Sequence, residues 1–348
     1  MADRKKGGRF SADYFRHSES GYKTYKDKLR SNSPNTPLDP EKQYVEDLTP
    51  RGIKIAREAA TKYFEGLNPE KDRLYFVSSN EARALGTAKV YKEEAEKRGF
   101  VIIDMPEGRK KDDIAYRVTG GKVRTSKKLS VNPQNLVLDN IFMPADKRFE
   151  VNEKALTPDF LEKYNRAKAI VDADNKGSYG ANLVAYSEKL REIFPEIKTA
   201  EQAEKEKLQS LIHTFGKYAK RHEEQGSEED IKVLAFGHQD QMVGFLNREF
   251  GNADLKNCEA VSFDFDSAEK KVGVTYKGRR KTLEERFIIM SALGSLLLSL
   301  CGSLYPNLTG FAIAENTLFE ISNFSEVFFL VGMILALTLA FGRIKNKD

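Results

Sequence analysis

The sequence contains no tryptophan, two cysteines and four histidines. The cysteines lie in different surroundings, because Cys258 is in a mixed polar segment and Cys301 is in a long apolar run. This argues against a disulfide-stapled secreted fold and against a cysteine-ligated metal site. Any chemistry based on histidine must draw on four residues, which are His17, His213, His222 and His238.

The second scarcity is local, because no lysine or arginine occurs between Phe287 and Phe341. The chain as a whole has 348 residues, of which 40% are hydrophobic and 31% are charged, with a net charge of +5. That composition provides one large or two small cores and excludes a disordered or fibrous chain.

Two apolar runs lie within this uncharged window, at residues 287–305 and 327–341. At about 1.5 Å per residue, the first reaches roughly 28 Å, close to the thickness of a bilayer core, and the second reaches about 22 Å. The pattern predicts a transmembrane hairpin over residues 287–342. A helical hairpin buried in a soluble core is the alternative.

Charged residues around the hairpin predict its orientation. Basic residues precede the first run and follow the second, at Arg279, Arg280, Lys281, Arg286, Arg343, Lys345 and Lys347. The connecting loop has three glutamates and no base. The positive-inside rule therefore places both termini in the cytoplasm. No apolar run follows the basic start of the chain, so no signal peptide is predicted. The expected organisation is a cytosolic domain at 1–286, the hairpin, and a basic cytosolic tail at 343–348.

Small residues recur every four positions in both runs, at Ser291, Ser295, Ser299, Ser303, Gly332, Ala336 and Ala340. This spacing puts them on one helix face, where backbones approach closely. It is also compatible with ordinary membrane-segment composition. The specific prediction is that the two helices pack on each other or on a second copy of the chain.

In the first 286 residues, predicted strands alternate with predicted helices. The strands cover 10–16, 74–79, 100–104, 231–237, 260–266 and 271–276, and the helices begin near 50, 81, 158, 201 and 239. Thr49-Pro50 is a strong helix start, with threonine as the N-cap and proline at the first position. The alternation predicts a three-layer α/β/α sandwich with a mostly parallel central sheet. Residues 105–200, with a further strand expected at 135–142, form an inserted cap.

Three segments with reactive side chains follow predicted strands. The first contains Arg16 and His17, the second contains Ser78, Ser79 and Arg83, and the third contains Gly237 and His238. Ligands of open α/β sheets bind at the carboxyl ends of strands, so two histidines and two arginines are expected to converge in one pocket.

This residue set suits phosphoryl transfer. A neutral imidazole can attack phosphorus and form a phosphohistidine. Guanidinium groups bind phosphate oxygens and offset the charge of the transferring group. A carboxylic acid must then protonate the leaving oxygen. Neither a metal nor another cofactor is predicted.

The combined motifs resemble the histidine phosphatase superfamily, which has the phosphoglycerate-mutase-like fold. Arg16-His17-Ser18-Glu19 is similar to its Arg-His-Gly motif, although Ser18 stands where the motif has glycine. Residues 47–52 resemble its Leu-Thr-x-x-Gly helix start, and residues 78–88 resemble its Ser-Ser-x-x-x-Arg-Ala-x-x-Thr-Ala segment. The resemblance covers roughly residues 10–104 and 231–276.

The resemblance implies a nucleophile at His17 and a phosphoryl-binding set of Arg16, Arg83 and His238. It implies a carboxylic general acid, for which Glu107 is preferred, with Asp104 and Asp240 as other candidates. Ser18, Glu19 and Asp240 are the further substrate-binding candidates.

A basic stretch between Arg109 and Lys128 has eight bases and two acids. It is either a solvated loop or a surface that attracts an anionic substrate or anionic lipid. Only Tyr116 interleaves it with an aromatic ring, which argues against nucleic-acid binding. His213 and His222 fall on a charged helix and are expected at the surface.

The leading function is a membrane-anchored, metal-independent phosphomonoesterase that acts on a phosphorylated substrate of unknown identity. A phosphoglycerate-mutase-type phosphotransferase and a catalytically inactive, membrane-tethered binding module are the alternatives.

Overall fold

The computed structural model describes residues 8–20, 30–32, 48–104, 123–130, 136–224, 226–266 and 271–284. The chain divides into two compact units, Met1–Ile289 and Met290–Asp348, and every described residue belongs to the first. The predicted hairpin, the basic tail, Glu107 and most of the basic stretch lie outside these residues. Within the described ranges, no helix is long and apolar enough to cross a membrane.

The central sheet has eight strands among the described residues. In chain order the strands of the molecule are β1 (Phe10–Arg16), β2 (Arg30–Asn32), β3 (Asp72–Ser78), β4 (Val101–Ile102), β5 (Arg124–Thr125), β6 (Glu150–Val151), β7 (Asp230–Gly237), β8 (Ala260–Asp266), β9 (Lys271–Tyr276) and β10 (Arg279–Glu284). The sheet order is β10-β9-β8-β1-β7-β3-β4, and β5 also pairs with β3. Strands β1, β7, β3, β4 and β5 are parallel, whereas β8, β9 and β10 extend the sheet in antiparallel fashion. Strands β2 and β6 form a separate antiparallel pair.

The α-helices of the described residues are α1 (Pro50–Phe64), α2 (Ala82–Lys97), α3 (Leu136–Phe142), α4 (Pro158–Asp172), α5 (Tyr179–Arg191), α6 (Ala200–Ala203), α7 (Gln209–Glu224) and α8 (Val243–Phe250). Thr49 caps α1 as predicted, because its side chain accepts a hydrogen bond from the backbone N–H of Gly52. Helices α6 and α7 are joined by a π turn at Glu204–Leu208, so the predicted charged helix is interrupted there.

Side chains alternate between two apolar cores on the faces of the sheet. In β1, Tyr14 packs in one core and Phe15 in the other, and Ala235 and Phe236 of β7 divide in the same way. Helices α1 and α2 cover one face, and α7 and α8 cover the opposite face. This arrangement confirms the predicted three-layer α/β/α sandwich with a mostly parallel sheet.

The inserted region contributes a third apolar core, formed by α3, α4 and α5 together with Val243 of α8. The predicted strand at 135–142 is wrong, because Leu136–Phe142 form α3. The buried residues Val137, Leu138, Ile141 and Phe142 recur at helical spacing. A short apolar run fits either period, so only packing against α4 and α5 decides the outcome here.

Two further expectations are corrected at the edges of the domain. Arg279–Glu284 form the edge strand β10, although the sequence analysis treated these residues only as the flank of the first apolar run. His222 is buried rather than at the surface, and its Nε2 lies 2.9 Å from the carbonyl oxygen of Glu229. The reason is that this side of α7 faces Phe10 of the core, whose ring centroid is 6.2 Å away.

Candidate active site

The reactive side chains meet because three parallel strands end in register. Arg16 of β1 is paired with Gly237 of β7, and Phe236 is paired with Ser78 of β3. Backbone hydrogen bonds continue the pairing by one residue, from His17 N to Gly237 O at 3.0 Å and from Ser79 N to Phe236 O at 2.9 Å. The three segments singled out in the sequence therefore converge at the carboxyl ends of β1, β7 and β3.

Both ring nitrogens of His17 have a hydrogen-bond partner. Its Nδ1 lies 2.7 Å from the carbonyl oxygen of Ser18. Because a carbonyl oxygen can only accept, Nδ1 carries the proton and Nε2 keeps a lone pair. The Nε of Arg83 donates to that Nε2 at 3.3 Å. Burial, followed by the charges of Arg83 and Arg16, holds the pKa of His17 well below its usual value. His17 is therefore neutral at pH 7, as a nucleophile must be.

Arg83 and Arg16 are the cationic groups of the site. Arg83 lies in the first turn of α2, is almost fully buried, and has its Nη1 3.4 Å from the carboxylate of Glu81. Arg16 ends β1, and its Nη1 donates to the carbonyl oxygen of Leu255 at 2.6 Å. Burial and then the charges of both guanidiniums lower the pKa of both histidines, so the four predicted side chains lie close together.

His238 is the second imidazole, with its ring centroid 5.1 Å from that of His17. Its Nε2 lies 2.8 Å from the hydroxyl of Ser79, and this hydroxyl accepts the backbone N–H of Glu81 at 3.1 Å. The hydroxyl hydrogen is free to point at Nε2, and in that tautomer the ring proton is on Nδ1. Among the described residues, Nδ1 is buried and has no hydrogen-bond partner. A buried unsatisfied donor beside two guanidiniums indicates an anion site.

Tyr14 fixes the strand end that carries His238. Its hydroxyl donates to the side-chain oxygen of Gln241 at 2.7 Å and accepts the backbone N–H of His238 at 2.8 Å. A Cβ atom at position 237 would lie 2.2 Å from this hydroxyl. Gly237 is therefore required by the close approach of Tyr14, which explains the Gly-His pair in the sequence.

Ser18, which replaces the glycine of the motif, fits without displacement. It is fully buried, its backbone N–H donates to the hydroxyl of Thr87 at 2.9 Å, and its own hydroxyl donates to the carbonyl of Gly52 at 2.7 Å. Glu19 accepts a hydrogen bond from the hydroxyl of Thr49 at 2.7 Å. Ser18 and Glu19 therefore connect the loop that follows β1 to the start of α1 and to α2.

The three candidates for the general acid were Glu107, Asp104 and Asp240. Asp104 forms a two-bond ion pair with Arg124, at 3.0 and 2.7 Å. Burial raises the pKa of Tyr14 well above its usual value, and the negative charge of Asp240 adds to the rise, so Asp240 lies near Tyr14. Asp104 and Asp240 are both among the described residues, whereas Glu107 is outside the described ranges.

One functional candidate, Asp139 of α3, was missed by the sequence analysis. Burial is the main cause that raises the pKa of its carboxyl group to about 7, followed by the charge of Asp240, whereas Arg83 acts in the opposite direction. The hydroxyl of Tyr179 donates to it at 3.3 Å. No local signal marked Asp139, because its segment was assigned to a strand and lies 56 positions after Arg83 in the chain.

The described part of the chain contains no group of three or more His, Cys, Asp or Glu side chains that could hold a metal ion. The side chains of the candidate site carry imidazole, guanidinium and carboxyl groups.

Comparison with known proteins finds no matching family model and no curated protein of similar sequence. Similar solved structures include a phosphoglycerate mutase from Bacillus anthracis, with 13% identity, a TM-score of 0.37, and coverage of 82% of this chain and 98% of that chain. The Hafnia alvei phytase in complex with tartrate has 12% identity and a TM-score of 0.35, covering 77% of this chain and 84% of that chain. A mutant phosphoserine phosphatase from Entamoeba histolytica in complex with phosphoserine has 14% identity and a TM-score of 0.33, covering 79% and 95%.

These neighbours are phosphatases and mutases of the histidine phosphatase fold. All three TM-scores are below 0.5, so the functional proposal stands on the side chains of the site.

Proposed function

We propose that this chain is a metal-independent phosphomonoesterase that works through a phosphohistidine at His17. The observation that carries the proposal is the state of the His17 ring. Its Nδ1 proton is bound by the Ser18 carbonyl, and the lone pair of Nε2 is directed at the guanidinium of Arg83. A phosphoryl group bound by that guanidinium would lie against the nucleophilic nitrogen.

The surrounding groups match the charge that develops during transfer. Arg83 and Arg16 offset the negative charge on the phosphoryl oxygens, and His238 donates to them from Nδ1. His17, Arg83 and His238 are buried, and the Nδ1 of His238 has no hydrogen-bond partner among the described residues. A buried polar atom of this kind is costly unless a ligand satisfies it. This cost argues against the inactive binding module, which has no need for a neutral imidazole next to a phosphate site.

The substrate is expected to be anionic beyond the transferred phosphoryl group. Lys127 and Lys128 follow β5 at the same sheet edge as the pocket, and Lys207 reaches the carbonyl oxygen of Lys127 at 3.4 Å. Burial and then the charge of Lys217 lower the pKa of Lys128, so like charges gather here. Such a cluster raises the local concentration of anions.

A phosphotransferase of the mutase type is the second candidate. It is favoured by the cap, because Asp139 of α3 is close enough to Arg83 for that charge to act on its carboxyl group. A covered pocket excludes water, which a mutase requires and a hydrolase does not. Release of inorganic phosphate distinguishes hydrolysis from transfer to a second hydroxyl.

Attachment to a membrane through residues 287–342, with the catalytic domain and both termini in the cytoplasm, remains part of the proposal. Its support is the length of the two apolar runs and the basic flanks.

The experiment for the proposed function is covalent labelling. The full chain, mixed briefly with a radiolabelled aryl phosphate, is expected to retain label that is acid-labile and base-stable, as a phosphoramidate is. His17→Ala should lose both label and turnover, because no other imidazole in the pocket has its Nε2 bonded to Arg83.

His213→Ala is the matched control, since His213 lies on α7 outside the pocket, and this variant should label like the parent. Equal turnover by the parent and His17→Ala would overturn the phosphohistidine mechanism. A parent that neither labels nor turns over any phosphomonoester would favour the binding module.

A further inference from the structure

Phosphoryl transfer from an ester needs a proton for the leaving oxygen, and the proposed function leaves its source open. We propose that Asp139, on the cap helix α3, is the catalytic acid and base of this site. The inference rests on the proposed function, because it assigns a role within the reaction at His17.

Hydrogen bonds connect the cap to the rim of the pocket on the Asp139 side. The hydroxyl of Tyr179, the first residue of α5, donates to Asp139. The next residue, Gly180, donates its backbone N–H to the carboxylate of Asp254 at 3.3 Å. That same oxygen of Asp254 accepts the side-chain amide of Gln239 at 2.8 Å, and Gln239 directly follows His238. The network holds α3 and α5 against the strand end that supplies the second imidazole.

The surroundings of Asp139 leave a large fraction of its carboxyl groups protonated at neutral pH. Asn140, the next residue, is fully buried and binds both the carbonyl of Phe149 and the hydroxyl of Tyr164, so this turn of α3 is fixed. The described charged and titratable groups that act on Asp139 are Asp240, Arg83 and Tyr179. Burial and the neighbouring carboxylate of Asp240 favour the neutral acid, and the result is a pKa of about 7. A general acid works best with a pKa near the working pH.

Asp240 acts as a positioning residue in this arrangement. Its negative charge disfavours ionisation of Asp139, which is how paired carboxyls separate their proton affinities. Asp104 is unsuited to this role because it is held in a two-bond ion pair with Arg124.

The proposed reaction has two steps. In the first, the lone pair of His17 Nε2 forms the N–P bond, the P–O ester bond breaks, and the ester oxygen takes the proton of Asp139. In the second, the Asp139 carboxylate accepts a proton from water as the water oxygen bonds to phosphorus. The N–P bond then breaks, the lone pair returns to Nε2, and Asp139 is protonated again.

The test compares two aryl phosphates whose leaving groups differ in their need for a proton. With phenyl phosphate, Asp139→Asn should lose about 10²–10⁴ in kcat/KM, the usual contribution of a positioned acid. With p-nitrophenyl phosphate, whose leaving group needs little protonation, the first step should survive and water attack should become slow. The variant should then show a burst of about one nitrophenolate per chain followed by slow turnover, and it should accumulate label at His17.

Asp159→Asn, at an exposed position on α4, is the matched control and should behave like the parent. Asp240→Asn tests the same assignment without touching Asp139. In the parent, kcat/KM should fall above about pH 7, and in Asp240→Asn this fall should shift to lower pH because a carboxylate that favours the neutral acid is gone.

Equal losses of Asp139→Asn on both substrates, without a burst, would overturn the role of Asp139 while leaving His17 labelling in the parent intact. An unchanged basic limb in Asp240→Asn would have the same consequence, even if Asp139→Asn fails to fold. Absence of labelling in the parent would instead overturn the proposed function, so the two failures are distinguishable.

Discussion

Arg83 affects three other side chains, His17, His238 and Asp139. Its Nε donates to Nε2 of His17. After burial, its charge is the next largest cause that lowers the pKa of both His17 and His238. Its charge also opposes the rise in the pKa of Asp139. One guanidinium therefore helps to keep two imidazoles neutral and to limit the proton affinity of the neighbouring acid.

Arg83→Ala is expected to reduce kcat/KM by about 10²–10³, since it removes a preorganised donor to the transferring charge. The pKa of each imidazole should rise toward its usual value, because Arg83 lowers both in the parent. The acid limb of the pH–rate profile should accordingly move to higher pH. Steady-state kinetics between pH 5 and 8 would measure both effects.

Arg83→Lys is the matched variant for this prediction. It keeps the charge but lacks the forked geometry, so it should retain the position of the acid limb and recover only part of the rate. Near-normal turnover in Arg83→Ala would mean that the start of α2 is not part of the site.

The sequence was sufficient to predict that Arg16, His17, Arg83 and His238 lie close together, because the elements next to them have clear local patterns. His17, Arg83 and His238 each follow or begin an element with a clear pattern of its own, such as the apolar run of β7. Parallel pairing then brings the strand ends together without any further information. Asp139 lacked such a signal, because its place next to Arg83 depends on how the cap packs.

At the scale of elements, the strand ends are held by contacts too close to tolerate a larger residue. Gly237 is the last residue of β7 and directly precedes His238. An added Cβ there would be 2.2 Å from the hydroxyl and 2.6 Å from Cζ of Tyr14. The ring of Tyr14 is fully buried and cannot move away without disturbing the core.

Gly237→Ala is expected to lower the free energy of unfolding by about 1–3 kcal/mol, the usual cost of overpacking. It should also reduce turnover, because any shift of Tyr14 releases the backbone N–H of His238. Chemical denaturation and kinetics on the same preparation would measure the two effects.

Gly66→Ala is the control for that substitution, since the nearest atom to a Cβ there is a carbonyl oxygen at 3.7 Å. It should leave both stability and turnover close to those of the parent. If Gly237→Ala behaves like this control, the close contact with Tyr14 does not determine the position of His238.

Strands with a clear apolar or alternating run were also the most predictable elements. The bounds of β1, β8 and β9 agree with the sequence analysis, since each strand shows a short apolar or alternating run. Strand β10 was missed because its residues are mostly polar and its pairing with β9 is set by the turn at Lys277 and Gly278, both at positive φ. Polar edge strands carry little periodicity, so their partner rather than their sequence determines them.

At the scale of the whole molecule, the predicted hairpin has a direct test. A protease added outside sealed vesicles that display the extracellular side should cut only within the loop at 306–326, because basic flanks hold both ends on the cytoplasmic side. Immunoblotting for tags at the two termini would detect the fragments. Detergent-permeabilised vesicles serve as the control, in which residues 1–286 become accessible as well. Cleavage within residues 1–286 in sealed vesicles would contradict the predicted orientation.

The order of strands in the sheet also has a consequence for biosynthesis. β7, which lies between β1 and β3 and supplies His238, is translated more than 150 residues after β3. A nascent chain that ends before Asp230 has made His17 and Arg83 but lacks the strand that separates and aligns them. Until β7 is made, the backbone groups of β1 and β3 that pair with it have no partner strand. This slows folding and exposes both strands to aggregation. Catalytic competence is thus expected only after β7 has inserted, so the appearance of activity during synthesis reports completion of the sheet.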